Sequence, residues 1–308
     1  PQARIMGQII GQTLADQQQA FISTHSEEII KGLLEACPNR IKIIRITREG
    51  DTNSFSVLNN QEFRQVWNDP ILRYSNIMAS LFHKTVVLCE SDSDCKMYSI
   101  IESHIKQRQG KYSETLFIHC GGKHRMAKIV KALRSLNVNT KLITDIDVLN
   151  DETVFQGIVE SYGIDYDAIR TDYKNIVSNL HSDKEKINRI AAKAAISQIM
   201  DNGKSAELSK NELKQIRDVI STTSIWSKLK SSGVSALPSG NATASFKHME
   251  QVLQGNGIYI VPVGELECFV REVGGHGPEW ANTVLERYPN LDDAVYHRIT
   301  EFIESMKL

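Results

Sequence analysis

One arrangement recurs along this chain and constrains its fold more than any other: a short apolar run that ends in carboxylates. Residues 85–98 read TVVLCESDSDCKMY. The apolar start, Val86, Val87 and Leu88, predicts a buried strand ending at Glu90. Ser91, Asp92 and Ser93 follow, and either serine suits the N-cap of a helix beginning near Asp94. Residues 141–147, KLITDID, repeat the arrangement with Asp145 and Asp147, and residues 258–267, IYIVPVGELE, repeat it with Glu265 and Glu267. Open α/β sheets place their chemistry beyond the carboxyl ends of the strands, so these three strand ends predict one shared metal site. Hard oxygen donors suit Mg²⁺ or Mn²⁺ rather than zinc. Glu265 and Glu267 follow Gly264, which frees the backbone there.

The 308 residues allow two or three structural units. A net charge of -1 exerts no global pull towards nucleic acid or a membrane, so any DNA contact must come from local patches. No run approaches the roughly 18 apolar residues of a membrane helix, and no signal peptide opens the chain, so the expected location is the cytoplasm. The five cysteines are odd in number and contain no C-x-x-C pair. They read as buried small hydrophobes rather than a disulfide framework. His119 and His124 flank Cys120, but no fourth ligand completes a zinc site.

Taken in order, residues 1–80 look like the end of a longer domain. Helical spacing at 2–16 is followed by a short strand at 20–23. A helix follows, capped by Ser26, with Glu27 and Glu28 in its first turn. A strand at 40–47 turns back at residues 49–52. Residues 61–83 form one helix and a connector interrupted by Pro70. Residues 84–150 alternate strand and helix, with strands at 116–119 and 142–147 and a Gly121-Gly122-Lys123 turn opening a helix at 126–136. Residues 151–238 are a helical insertion. Its Lys184, Lys186, Arg189, Lys193 and Lys204 could face DNA, although a solvated helix face is the commoner meaning. Residues 239–308 return to the sheet through a helix at 245–254 and a strand at 258–263. A helix from about Glu265 and two closing amphipathic helices complete the chain.

Two resemblances follow from these motifs. Residues 22–30, ISTHSEEII, resemble the switch-histidine region of ABC-type ATPases, which would make His25 the remnant of a γ-phosphate sensor. No Walker A loop or Walker B acids accompany it. The one candidate, Gly203-Lys204-Ser205, has Gln198 where a glycine is required. The chain alone is therefore not expected to hydrolyse ATP, and His25 reads here as a residue beside a helix cap. The second resemblance is to Toprim domains, on an acid after an apolar strand, a second acid in the next helix and a later D-x-D. In detail, VVLCESDSD, CGGK, TDIDVLND and VPVGELE resemble the OLD (overcoming lysogenization defect) family of ATPase–Toprim nucleases, class 2, similar to the nuclease of the Gabija antiphage system. Ser91 stands where that family has glycine.

The resemblance implies a Rossmann-like, mainly parallel sheet flanked by helices and carrying the helical insertion. The C-terminal remnant of an ABC-type ATPase would precede it. It implies a DNA endonuclease or nickase working in antiviral defence or DNA processing. Glu90, Asp94, Asp145, Asp147, Glu265 and Glu267 would be ligands for two Mg²⁺ or Mn²⁺ ions, and Ca²⁺ would bind without supporting catalysis. One ion would activate water and the other stabilise the leaving oxygen, with Glu90 and Asp145 central. Lys230 would neutralise phosphate charge, with Lys123 second; Lys123, opening a helix, also suits a plain phosphate contact. Implied partners are DNA, the missing N-terminal ATPase domain, a superfamily 1 helicase and a second copy of the chain; no membrane contact is implied. Two other readings stand beside this one. A phosphoaspartyl hydrolase would use the D-x-D covalently, but Leu149 stands where that fold wants Thr or Val. A non-catalytic DNA- or helicase-binding module would not need intact acids.

Overall fold

The computed structural model describes residues 2–58, 61, 64, 67–69, 76–182, 189–202, 207–221 and 225–308. Pro70, Lys184, Lys186 and residues 203–205 lie outside them. The chain divides into two compact units, residues 1–141 with 308, and residues 142–307.

In the first unit, Gln2–Thr13 (α1) packs on Glu27–Ala36 (α2), and Arg4 Nε donates to Glu35 Oε2 across the contact at 3.1 Å. Ser26 is the N-cap of α2, but its side chain caps nothing. Its backbone N–H donates instead to Thr24 Oγ1 at 3.0 Å. The strand expected at 20–23 is not formed. A strand needs a ladder to satisfy its backbone; among the described residues no strand pairs with this segment, and Phe21 is 94% exposed. Ile44–Glu49 (β1) and Thr52–Val57 (β2) form an antiparallel hairpin, in register from Ile44↔Val57 to Glu49↔Thr52. Arg45 anchors it by donating to Leu81 O at 3.1 Å, His83 O at 2.5 Å and Asn137 O at 2.7 Å.

Thr85–Cys89 (β3) is buried at every position, as its unbroken apolar run requires of a central strand. It pairs in parallel with Thr115–His119 (β4). The crossover helix Asp92–Arg108 (α3) packs on both strands. Met126–Ser135 (α4) follows β4, burying Met126, Ile129, Val130 and Leu133 on one face.

Asn139–Thr144 (β5) begins in the first unit and ends in the second. It pairs in parallel with Ile258–Ile260 (β6), from Leu142↔Ile258 to Thr144↔Ile260. The sheet order is β4-β3-β5-β6, giving a mixed α/β fold with a parallel four-stranded sheet flanked by helices.

Between β5 and β6 the described residues form no strand. They form helices Glu152–Ser161 (α5), Asp167–Ser182 (α6), Arg189–Asp201 (α7), Lys210–Ser221 (α8), Ile225–Ser232 (α9) and Asn241–Gly255 (α10). Gly277–Arg287 (α11) and His297–Ser305 (α12) follow β6. The core of this second unit holds Phe155, Phe246, Trp280 and Tyr296, all nearly solvent-free. Among the described residues, no helix is long and apolar enough to cross a membrane.

The loop after β6 meets the end of α9 at backbone distance. Val234 N–H donates to Pro262 O at 2.9 Å. Gly264 has φ 112°, and a Cβ there would lie 1.9 Å from Lys230 O. Gly264→Ala is expected to destabilise the fold by about 3 kcal/mol through combined strain and overpacking. Gly240→Ala has a similar φ of 103° but nothing within 4 Å of its Cβ, and is expected to cost about 1 kcal/mol. Urea unfolding of the two variants measures the difference, and equal losses would remove the Lys230 contact from the account.

Candidate metal centre

In the second unit, β5 ends at Thr144, sooner than the expected strand 142–147. Asp145 takes the N-cap position, and Ile146–Asn150 turns as a 3₁₀ helix with Asp147 in its first turn. The backbone therefore leaves the extended conformation between the two aspartates. Ile146 N–H donates to Gly264 O at 3.0 Å, tying the end of β5 to the loop after β6. Tyr173 O–H donates to Leu149 O at 2.9 Å and braces the turn from α6.

The second acid pair uses the same device. β6 stops at Ile260 rather than Val263. Glu265 is the N-cap of a short 3₁₀ turn, Leu266–Phe269, with Glu267 in that turn. This turn stands in place of the helix expected from Glu265. A 3₁₀ turn is common as a connector and is rarely long.

Lys230, near the end of α9, meets Glu265, Nζ to Oε2, at 3.0 Å. The approach depends on the backbone around it. Cys268 Sγ lies 3.6 Å from Lys230 O, and Arg271 Nη2 donates to Ser231 O at 2.9 Å, so the end of α9 is pinned to the acid turn. Burial pulls the Lys230 ammonium towards losing its proton. The hydrogen bond to Glu265 and the charges of Glu265, Asp147 and Asp145 outweigh that and raise its pKa above the ordinary 10.5. One ammonium thus feels carboxylates from the ends of both β5 and β6.

His276 carried no expectation from the sequence. Its Nδ1 stands 3.6 Å from Glu267 Oε1 and 3.9 Å from Glu265 Oε1. One ligand atom from each of Glu265, Glu267 and His276 falls within 4.8 Å of the others. Gly277 N–H donates to Glu267 Oε1 at 2.8 Å. The signal in the chain for this residue was a histidine between glycines nine residues after Glu267.

In the first unit, Glu90 directly follows β3, and Gly122 N–H donates to its carbonyl at 3.1 Å. The turn carrying half-buried Lys123 therefore folds back onto the end of that strand. Asp94 has a local structural role. Its Oδ2 accepts the Ser91 N–H at 2.8 Å, and Ser91 Oγ accepts the Asp94 N–H at 3.3 Å. This is a capping box at the start of α3. Asp94 joins no group of converging ligand atoms among the described residues. Ser91 sits at φ -123°, ψ 168°, an extended conformation open to any residue, so its replacement of glycine leaves this turn unstrained. Cys89 and Cys120 are buried. Burial, then the charges of Cys95 and Glu90, push the Cys120 thiol up to about 12, so it stays protonated near neutrality. His25 is exposed just before Ser26.

The donors are carboxylates joined by one imidazole, a set suited to hard or borderline divalent cations. A raised folded-state pKa means that Lys230 contributes stability fully below the unfolded lysine value, and that this is lost as pH climbs through the folded value. Because Lys230 is 44% exposed, solvent screening keeps the contribution small. Lys230→Met is expected to flatten the alkaline fall in stability above the ordinary lysine range, read from melting temperatures between about pH 9 and about 12. An unchanged alkaline profile would show that the lysine is not held by these acids.

Residues 81–147 match the family model described as overcoming lysogenization defect protein-like, TOPRIM domain. No curated protein matches the chain. The matched segment begins just before β3 and ends at Asp147, so it contains Glu90, Asp94, Asp145 and Asp147, and this stretch is similar to a Toprim domain.

Proposed function

We propose that this chain is a divalent-metal-dependent endonuclease that nicks DNA, the nuclease part of an ATP-dependent class 2 OLD-family protein. The observation that carries the reading is the convergence around Lys230: acids from the ends of β5 and β6 act on one ammonium. The family match over residues 81–147 supports it independently. We assign Asp145 with Asp147 to one cation set and Glu265 with Glu267 to the other, and Glu90 as a further ligand on the strength of the family match. When bound, the cations would supply Lewis acidity and an activated water. Lys230 orients Glu265 and brings positive charge to where a phosphodiester would sit. Lys123, in the turn that returns to Glu90, suits a backbone phosphate. Asp94 holds the turn beside Glu90 through its capping box.

Partners follow from this reading as proposals: DNA as substrate, an ATPase domain continuing from residues 1–80, a helicase, and a second copy of the chain. Antiviral defence in the cytoplasm is the proposed setting.

Incubated with supercoiled plasmid and Mn²⁺ or Mg²⁺, the protein is expected to produce nicked circles. Asp145→Ala and Glu90→Gln should each lower that rate at least about 10²-fold, and Lys230→Met by a similar factor. Circular dichroism confirms that the variants fold. Hydrolysis of an aryl phosphate without nicking would replace this reading with the phosphoaspartyl one. Plasmid retention on a filter without either reaction would indicate a binding module.

A further inference from the structure

We propose that Glu265, Glu267 and His276 form a mixed oxygen–nitrogen cation site that takes Mn²⁺ in preference to Mg²⁺. The inference deepens the two-cation reading above, and rests on it for what the ion does. It does not rest on it for the ion's binding.

The geometry points to a cation rather than a simple ion pair. His276 Nδ1 faces one oxygen from each glutamate, at 3.9 Å from Glu265 and 3.6 Å from Glu267. Neither distance is a hydrogen bond. The imidazole stands over the two oxygens without bonding either, as donors do when a small ion fits between them. The two carboxylates are also oriented from outside. Lys230 holds Glu265 by Oε2, which leaves Oε1 as the oxygen nearest His276. Gly277 N–H donates to Glu267 Oε1, the same oxygen that faces His276, and leaves that oxygen a second lone pair. Metal ligands are characteristically held in this way by partners behind them. Glu265 is 11% and Glu267 17% exposed, whereas His276 is 75% exposed. Two acids on a pinned turn and one histidine on an open glycine loop make a site whose last ligand closes from the solvent side.

The donor set then decides the metal. Mg²⁺ demands oxygen ligands in near-ideal octahedral geometry and keeps its waters. An imidazole suits first-row transition ions, and at equal charge it favours them over Mg²⁺. The bland alternative is that Glu267 merely caps α11 through Gly277 N–H, with His276 passing by as the N-cap residue.

The test uses the full chain and Mn²⁺ itself. Titration followed by electron paramagnetic resonance gives the affinity, and spin-echo modulation shows whether nitrogen-14 is bound to the ion. The wild type is expected to show nitrogen modulation. His276→Ala should lose it and bind Mn²⁺ at least about tenfold more weakly, with Mg²⁺ affinity, read by competition, changed less than about twofold. His297→Ala, on another exposed histidine, should keep both signals. Absence of nitrogen modulation in the wild type, its persistence in His276→Ala, or equal weakening for both metals overturns the proposal. Plasmid nicking is scored separately. Nitrogen-ligated Mn²⁺ on a protein that leaves plasmid intact overturns the nuclease reading and supports this site. Nicking by a protein whose Mn²⁺ sees only oxygen overturns this site alone.

Discussion

Carboxylates gathered at strand ends repel one another, and in the second unit the ammonium of Lys230 opposes this. At about 4 Å, two like charges near a protein surface repel by roughly 4 kcal/mol. Lys230 offsets part of that for Glu265, Asp145 and Asp147 together. The raised lysine pKa is the mark of this: the proton is held by the summed field of several acids, against the desolvation that would remove it. A protein selected for stability alone has little reason to collect these charges.

Placing that ammonium is a matter of backbone contact. The end of α9 reaches the acids because Gly264 has no side chain to keep Lys230 O away. The two acid pairs each sit where a strand gives way to a 3₁₀ turn. Asp145 with Asp147, and Glu265 with Glu267, are in each case an N-cap residue and a residue of the following turn. The same local solution appears twice, on strands that pair in parallel.

The first unit shows how the turn after β3 is held. The backbone at Ser91 is extended, so no left-handed conformation is needed there. The hydroxyl then caps α3 reciprocally with Asp94. A residue expected as a ligand thereby has a demonstrable structural role, and the proposed cation sets leave it in that role.

Sequence alone determined the α/β class, the strands ending near Glu90, Asp145 and Glu265, and the acids themselves. These are local: an apolar run of strand length and the residues that end it are legible without knowing what lies nearby. It misplaced the strand ends and drew a strand at 20–23, because period and propensity do not say whether a pairing partner exists. Tertiary structure alone decided that Lys230 meets Glu265, 35 positions later, and that His276 faces the glutamates. Such meetings are made by how α9 and the loop before α11 pack, and no spacing within the chain encodes a distance through space.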